Sequence, residues 1–299
     1  MRIEDFKDII YTKEDNGICT ITINAPERRN AFTFITFLEI ESAIEDMQAD
    51  KNARVLIMTG SEEGNAFSSG GYFNMKDMTN WDQELTDKMD LEDIAIKRLC
   101  MKLWDFPKPI IAAINGLAIG AGITMPIATA DLIYMSEDAW AGFFFVKRGI
   151  VPEFGLSFML PLLVGFQRAK EILYFGDKIP AQKMFEYGLI NGVLPKNKLM
   201  NHCREIAERL IPPKGPSVSL KFMKKTMHDY FRPIISETLD KENIGLRALF
   251  QTADFRASMK ALQTKTDPIF KGRENKIMEN VLNSPFDLEK ERSRPKYTR

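Results

Sequence analysis

The segment Gly17-Ile-Cys-Thr-Ile-Thr-Ile23 alternates Ile with Thr or Cys, the period-two pattern of a half-buried strand. From Thr33 the period changes. Phe34, Phe37, Leu38, Ile40, Ile44 and Met47 recur at helical spacing, which predicts a helix with Glu39, Glu41, Glu45 and Asp46 on its other face. Arg54-Val-Leu-Ile-Met-Thr59 reads as a short buried strand, between polar loops at 24–31 and 61–65. A Met-rich helical region is expected from about Met75 to Phe106. A strand is expected at Leu132-Ile-Tyr134, followed by the apolar run Gly142-Phe-Phe-Phe-Val146. The second half is mostly helical. Phe154 to Val164, Arg168 to Phe175, Ala181 to Tyr187, the stripe Leu199, Cys203, Ile206 and Leu210, then Lys221 to His228 and Thr238 to Leu262 all carry helical periodicity. Gly188 to Leu194 reads as a turn and a short strand. From Ser284 the chain is charged, contains Pro285 and Pro295, and has little to bury, so a loose tail is expected. The alternation of strand and helix in the first half implies an α/β fold with crossover connections around a buried sheet. No internal repeat is visible.

Between Lys108 and Asp131 no residue is charged and most are apolar, which by length alone is a membrane-span candidate. Its internal grammar favours another reading. Pro109-Ile-Ile-Ala-Ala-Ile114 looks like a buried strand, Asn115-Gly116 breaks it, and Gly120-Ala-Gly122 with Pro126 beyond marks a turn and a buried helix. No membrane association is therefore expected.

Composition narrows the function classes. Of 299 residues, 41 are Lys or Arg and 41 are Asp or Glu, so the formal net charge is zero. Nucleic-acid binders need surplus positive charge to displace counterions, so no nucleic-acid partner is expected. Only two histidines occur, His202 and His228, which excludes a His-rich metal site and leaves few bases for a Ser–His–Asp triad. Both lie on helical segments away from the glycine turns, where solvent or interface positions are expected. Cys19, Cys100 and Cys203 are scattered, odd in number and form no C-x-x-C, which fits free thiols and argues against disulfides or a zinc centre. Residues Met1 to Tyr11 lack the apolar core of a signal peptide, and Tyr297-Thr-Arg299 is no S-K-L signal, so a cytoplasmic location is the expectation.

Two glycine turns stand at the ends of apparent strands, Phe67-Ser-Ser-Gly-Gly-Tyr72 and Asn115-Gly-Leu-Ala-Ile-Gly-Ala-Gly122. Small residues let backbone N–H groups approach a ligand closely. The second turn opens a helix, whose free N–H groups and dipole favour negative charge. Two such donors converging on one oxygen would form an oxyanion hole. Tight strand-to-helix packing explains the glycines equally well. A dinucleotide fingerprint is disfavoured, because the third glycine position holds Met125.

Pro26-Glu-Arg-Arg-Asn-Ala31, Phe67-Ser-Ser-Gly-Gly71, Lys108-Pro-Ile-Ile-Ala-Ala-Ile-Asn-Gly116, Gly120-Ala-Gly122 and Arg148-Gly-Ile-Val-Pro-Glu153 occur in this order. Together they resemble the crotonase superfamily, the enoyl-CoA hydratase/isomerase family, over about residues 10 to 271. The resemblance implies a spiral of ββα units with the acyl-CoA site over residues 1–200, a helical trimerisation region over 201–271 and a charged tail over 272–299. It implies an acyl-CoA thioester substrate processed through an enolate in lipid or fatty acid metabolism. It also implies a homotrimer or dimer of trimers, with no metal and no cofactor beyond the CoA of the substrate.

Carried over residue by residue, the resemblance makes the backbone N–H groups of Gly71 and Ala121 the oxyanion donors. Hydratases of the family use two glutamates, whose matching positions here hold Thr124 and Phe145, and the stretch from Gly122 to Asp131 is one residue longer than usual. Glu153 instead resembles the single acid/base of peroxisomal-type Δ3,Δ2-enoyl-CoA isomerases. Phe143, Phe144, Phe145, Val146 and Phe154 are near in sequence and would make its pocket apolar, raising its pKa. As a residue alone, Glu153 also suits a helix N-terminus after Pro152. For CoA, the resemblance points to Arg28, Arg29, Ala31 and Ser69, and to Lys265, Phe270 and Lys271 reaching a neighbouring subunit's ligand. An exposed charged loop is the alternative for Arg28 and Arg29. Asp131 is expected to be structural. The activity so implied is an isomerase that shifts a double bond in an enoyl-CoA. The alternatives are a hydratase with an incomplete glutamate pair, a thioester hydrolase or C–C bond enzyme on the same scaffold, or a catalytically silent CoA-binding protein.

Overall fold

The computed structural model describes residues 1–72, 90–273 and 276–294. The helical expectation for about Met75 to Phe106 falls partly on residues 73–89, outside the described residues. Its remainder contributes a helix at Lys97–Trp104.

Two sheets form the centre. The first holds β1 (Ile9–Lys13), β2 (Ile18–Ile23), β3 (Val55–Gly60), β5 (Ile110–Ile114), β7 (Leu132–Ser136) and β10 (Gly192–Leu194), in the order β1-β2-β3-β5-β7-β10. All of its pairs are parallel except β1–β2. β3 and β5 are buried along their whole length, as strands covered on both faces must be. The second sheet holds β4 (Ala66–Ser68), β6 (Leu117–Ile119), β8 (Trp140–Gly142) and β9 (Lys178–Pro180), in the order β4-β6-β8-β9. The chain therefore passes from the first sheet into the second three times, β3 to β4, β5 to β6 and β7 to β8. Each passage is followed in the chain by helix, giving the spiral of ββα units that the resemblance implies.

Helix α1 (Phe34–Ala49) begins at a capping box between Thr33 and Thr36. It packs Ile40, Ala43, Ile44 and Met47 into the main core. The periodicity places its acidic residues together on a polar face, but two of them are buried. Glu39 is buried and accepts the N–H groups of Lys7, Asp8 and Ile9, and Glu41 is buried against Arg98 and Lys102. The uncharged run becomes β5, β6 and the wholly buried helix α3 (Ala121–Thr129), after α2 at Lys97–Trp104. Among the described residues no helix is long and apolar enough to cross a membrane. The run Gly142–Val146 divides between the end of β8 and the start of α4 (Phe145–Arg148).

Beyond it lie α5 (Leu156–Val164), α6 (Phe166–Phe175), α7 (Ala181–Glu186) and α8 (Lys196–Leu210). Helix α8 straddles the expected boundary at residue 200. Leu199, Cys203 and Ala207 pack on Ile57, Ile111 and Tyr134, so it belongs to the first sheet. The long helix α9 (Ser217–Leu249) absorbs Pro233 and joins what the periodicity separates at 228 and 238. Helix α10 (Ala253–Thr264) follows. The described part of the tail is not loose. Helices α11 (Lys276–Asn283) and α12 (Leu288–Ser293) contact α9, and buried Glu291 pairs with Arg247. His228 stacks on Trp104 and His202 packs edge-on against Tyr134. The three cysteines are free and buried.

Candidate active site

The two glycine turns meet because of strand order. β4 and β6 are parallel neighbours, so their C-terminal ends, Ser68 and Ile119, leave the second sheet along one edge. Adjacent strands lie about 4.8 Å apart, which brings the turns that follow them side by side. Two glycines make the approach possible. Gly70 has φ +93, and a Cβ there would lie 2.7 Å from the Ile119 carbonyl oxygen. A Cβ on Gly122 would lie 2.4 Å from the Ser68 carbonyl oxygen. Packing of the two turns therefore requires these small residues.

Within this pair of turns, Gly71 is exposed and its carbonyl-side neighbour Tyr72 donates its N–H to Phe32, 2.8 Å. The Gly71 N–H makes no hydrogen bond among the described residues. Ala121 is the first residue of α3, so its N–H has no intrahelical partner, and none elsewhere among the described residues. Two backbone donors thus stand on adjacent turns, one at a helix N-terminus.

Glu153 reaches the same place from the other side. Its Oε1 lies 3.7 Å from where a Cβ on Gly120 would stand. Glu153 as a residue is half-buried, and its carboxyl is surrounded by protein. This burial pushes its pKa up to about 8, and the nearby Glu242 carboxylate adds to the effect. Phe143, Phe145 and Phe154 are buried as expected. Phe154 packs on Phe37, ring centroids 6.0 Å apart, and Phe37 on Phe32 at 5.3 Å. Phe32 in turn pairs with Gly71, so one aromatic ladder joins the Glu153 turn to the first glycine turn. Phe144 turns aside, toward Trp140 and Lys147. Thr124 and Phe145 are buried, and the Thr124 hydroxyl has no hydrogen-bond partner among the described residues.

The loop before α1 is welded to the first turn. The Ser69 N–H donates to the Arg29 carbonyl and its Oγ to the Arg28 carbonyl, both 3.1 Å. Asn30, which the motif reading leaves without a role, is fully buried with φ 55. It accepts from the Ala25 N–H at 3.0 Å and donates to the Ala66 carbonyl at 2.8 Å. Arg28 is engaged by its own chain. It pairs with Asp8 at 2.6 Å and Glu27 at 2.5 Å, and its Nε donates to the Ala31 carbonyl. Arg29 is exposed and has no ion pair among the described residues. Ala31 is buried. Lys265, the C-cap of α10, and Phe270 and Lys271 beyond it are exposed, and Asp254 accepts the Lys271 N–H. No hydrogen bond or ion pair among the described residues joins these three to either glycine turn. Asp131 is tied into the fold, accepting from the Ile110 N–H and from Lys224. Among the described residues no group of three His, Cys, Asp or Glu could hold a metal ion.

Comparison with known proteins bears on this arrangement. The family model described as enoyl-CoA hydratase/isomerase matches residues 13–273. The chain is similar to 1,2-epoxyphenylacetyl-CoA isomerase of Escherichia coli strain K12, 26% identical over 270 residues, covering 89% of this chain and 99% of that one. It is also similar to the peroxisomal enoyl-CoA delta isomerase 3 of Mus musculus, 32% identical over 196 residues, covering 66% of this chain and 60% of the other. Among solved structures, an enoyl-CoA hydratase from Mycobacterium avium subsp. paratuberculosis K-10 superposes with a TM-score of 0.76 at 26% identity, covering 89% of this chain and 99% of that one. The names divide between isomerase and hydratase. The chain belongs to the enoyl-CoA hydratase/isomerase family.

Proposed function

We propose that the protein is an enoyl-CoA isomerase in which Glu153 is the only acid/base. The observation that carries this reading is the approach of Glu153 Oε1 to the Gly120–Ala121 turn, beside two backbone donors that have no partner among the described residues. A thioester carbonyl held by the Gly71 and Ala121 N–H groups becomes acidic at its α-carbon, because the enolate oxygen is stabilised as it forms. Glu153 takes a proton from C2 of a 3-enoyl-CoA, leaving a dienolate, and returns it at C4. A carboxyl with a pKa of about 8 suits both halves, since it is neither a very weak base nor a strong acid near neutral pH. The reaction needs no group beyond the CoA of the substrate. A hydratase would need a second carboxylate to activate water. The matching positions, Thr124 and Phe145, are buried and non-acidic, which counts against that reading.

CoA binding is proposed for the ledge from Arg29 to Ala31 and Ser69. Arg29 supplies the cation, since Arg28 is neutralised by Asp8 and Glu27. Lys265, Phe270 and Lys271 remain available to a neighbouring subunit's ligand. Assembly as a homotrimer or dimer of trimers is supported by the apolar stripe on α9, where Val218, Phe222, Met223, Met227, Tyr230 and Ile234 are exposed.

The test offers 3-enoyl-CoA and 2-enoyl-CoA thioesters to wild type and to Glu153→Gln. Wild type is expected to convert the 3-enoyl thioester, and the variant to lose about 10²–10⁴-fold in kcat. An unchanged 3-enoyl-CoA, or an equally fast variant, would remove the isomerase reading.

A further inference from the structure

We propose that Glu242, on α9, is a positioning residue for Glu153: its carboxylate clamps the turn on which Glu153 stands and sets a second negative charge behind it. The proposal rests on the reading of Glu153 as the acid/base. Glu242 lies far from every motif in the sequence, and it is buried. Its Oε2 accepts the Gly155 N–H at 2.8 Å and its Oε1 the Ser157 N–H at 2.9 Å. These are donors at the start of α5, immediately after Glu153. The residue between them and Glu153 is held as firmly. The Phe154 N–H donates to the Ala95 carbonyl at 3.2 Å, and its carbonyl accepts from Cys100 Sγ at 3.6 Å. Ala95 is itself fixed by Asn243, the residue after Glu242, whose Oδ1 accepts the Ala95 N–H at 2.7 Å. Phe154 has φ 56, a left-handed conformation costly for an aromatic residue. Such strain persists only where the surroundings over-determine it. Here Glu242 and Asn243 do so, and the strained turn aims Glu153 at Gly120.

A cap alone does not need a charge. Asn and Ser terminate helices as well as Asp does, at a smaller desolvation cost. Glu242 is a buried carboxylate with no cation paired to it among the described residues. The neighbouring cations are committed elsewhere, Lys97 and Arg292 to Asp240 and Arg247 to Glu291. Helix α5 contains no titratable residue. The titratable groups around Glu242 are Glu153, Asp93, whose Oδ1 accepts from Asn243, and the Cys100 thiol. Burial pushes Glu242 up to about 7, against the pull of its hydrogen bonds from Ser157 and Gly155. Its charge opposes ionisation of Glu153, so the two carboxyls titrate as a pair.

The experiment compares wild type, Glu242→Gln and Glu153→Gln by the pH dependence of kcat/KM for 3-enoyl-CoA. Removing the Glu242 charge is expected to move the ascending limb to lower pH by about one unit, because Glu153 then ionises more easily. Losing one of two clamping bonds is expected to lower kcat about 10-fold to 100-fold with KM within about twofold, as misplacement of a reacting group does. A Glu242→Gln enzyme with the wild-type limb and kcat overturns the proposal while leaving Glu153 as base, provided Glu153→Gln is inactive. A Glu153→Gln enzyme as fast as wild type overturns both. Should Glu242→Gln not fold, the wild-type carboxyls are titrated by 13C NMR with labelled glutamate, the Glu153 signal being identified by its absence in Glu153→Gln. A two-step Glu153 curve is expected, and a single step overturns the coupling.

Discussion

A carboxyl that stays protonated to about pH 8 in the folded chain binds more protons there than in the unfolded chain, where its usual value is 4.5. Stability changes with pH according to that difference, and it falls as pH rises wherever the folded state holds the extra proton. Glu153 therefore lowers stability progressively from about pH 4.5 to about 8, and the full loss is present above that window. Glu153→Gln, which cannot ionise, should escape it. Calorimetric melting is expected to show the variant gaining on wild type between pH 5 and pH 9; a constant difference across that range would contradict the buried-carboxyl account. Asn30 makes a second prediction at this scale. Asn30→Ala leaves the buried Ala25 N–H and Ala66 carbonyl without partners and keeps a left-handed φ. Urea unfolding should report a loss of about 1–3 kcal/mol per abandoned group. Glu153 is legible in the sequence through the ordered motifs around it. Glu242 is not, because its neighbours Asp240 and Lys241 make it look like one more solvated position on a polar helix face. Only the packing of α9 on α2 and α5 reveals that it is buried.

At the level of elements, the site depends on two strands delivering two turns to one edge. β4 and β6 are three residues each, too short for alternation to declare them, and β6 hides inside an uncharged run. The sequence pattern does expose the longer strands β2, β3 and β5 and the glycines that must follow them. It leaves open whether those glycines serve packing or donor approach; their mutual contact shows that packing needs them, and a substitution tests the donor role. Gly122→Ala would put a methyl 2.4 Å from the Ser68 carbonyl oxygen and force the turns apart. The expected result is a kcat loss of about 10²–10³-fold, the scale of one lost oxyanion donor, with CoA affinity changed far less. Equal losses in both would point to general unfolding.

For the molecule as a whole, the electrical balance of the chain conceals local structure. Arg28 is consumed by Asp8 and Glu27, so the positive charge near the ledge is Arg29 rather than a pair of arginines. The charged tail, which composition marks as unable to bury anything, docks through Arg247–Glu291 and Arg294–Glu92. Ion pairs across elements cannot be counted from composition, because they depend on which helices meet. The exposed stripe on α9 predicts assembly. Phe222→Asp combined with Tyr230→Asp is expected to shift the mass measured by light scattering from an oligomer to a monomer; an unchanged mass would place the interface elsewhere.

The central claim is that one buried carboxyl does the proton chemistry on an enoyl-CoA. Its most direct measurement is kcat/KM for a 3-enoyl-CoA between pH 5 and pH 10. The account predicts an ascending limb with its midpoint near about pH 8, carried by Glu153 and absent from Glu153→Gln. A profile flat through that range, a midpoint in the ordinary carboxylate range, or a limb that survives in Glu153→Gln would contradict it.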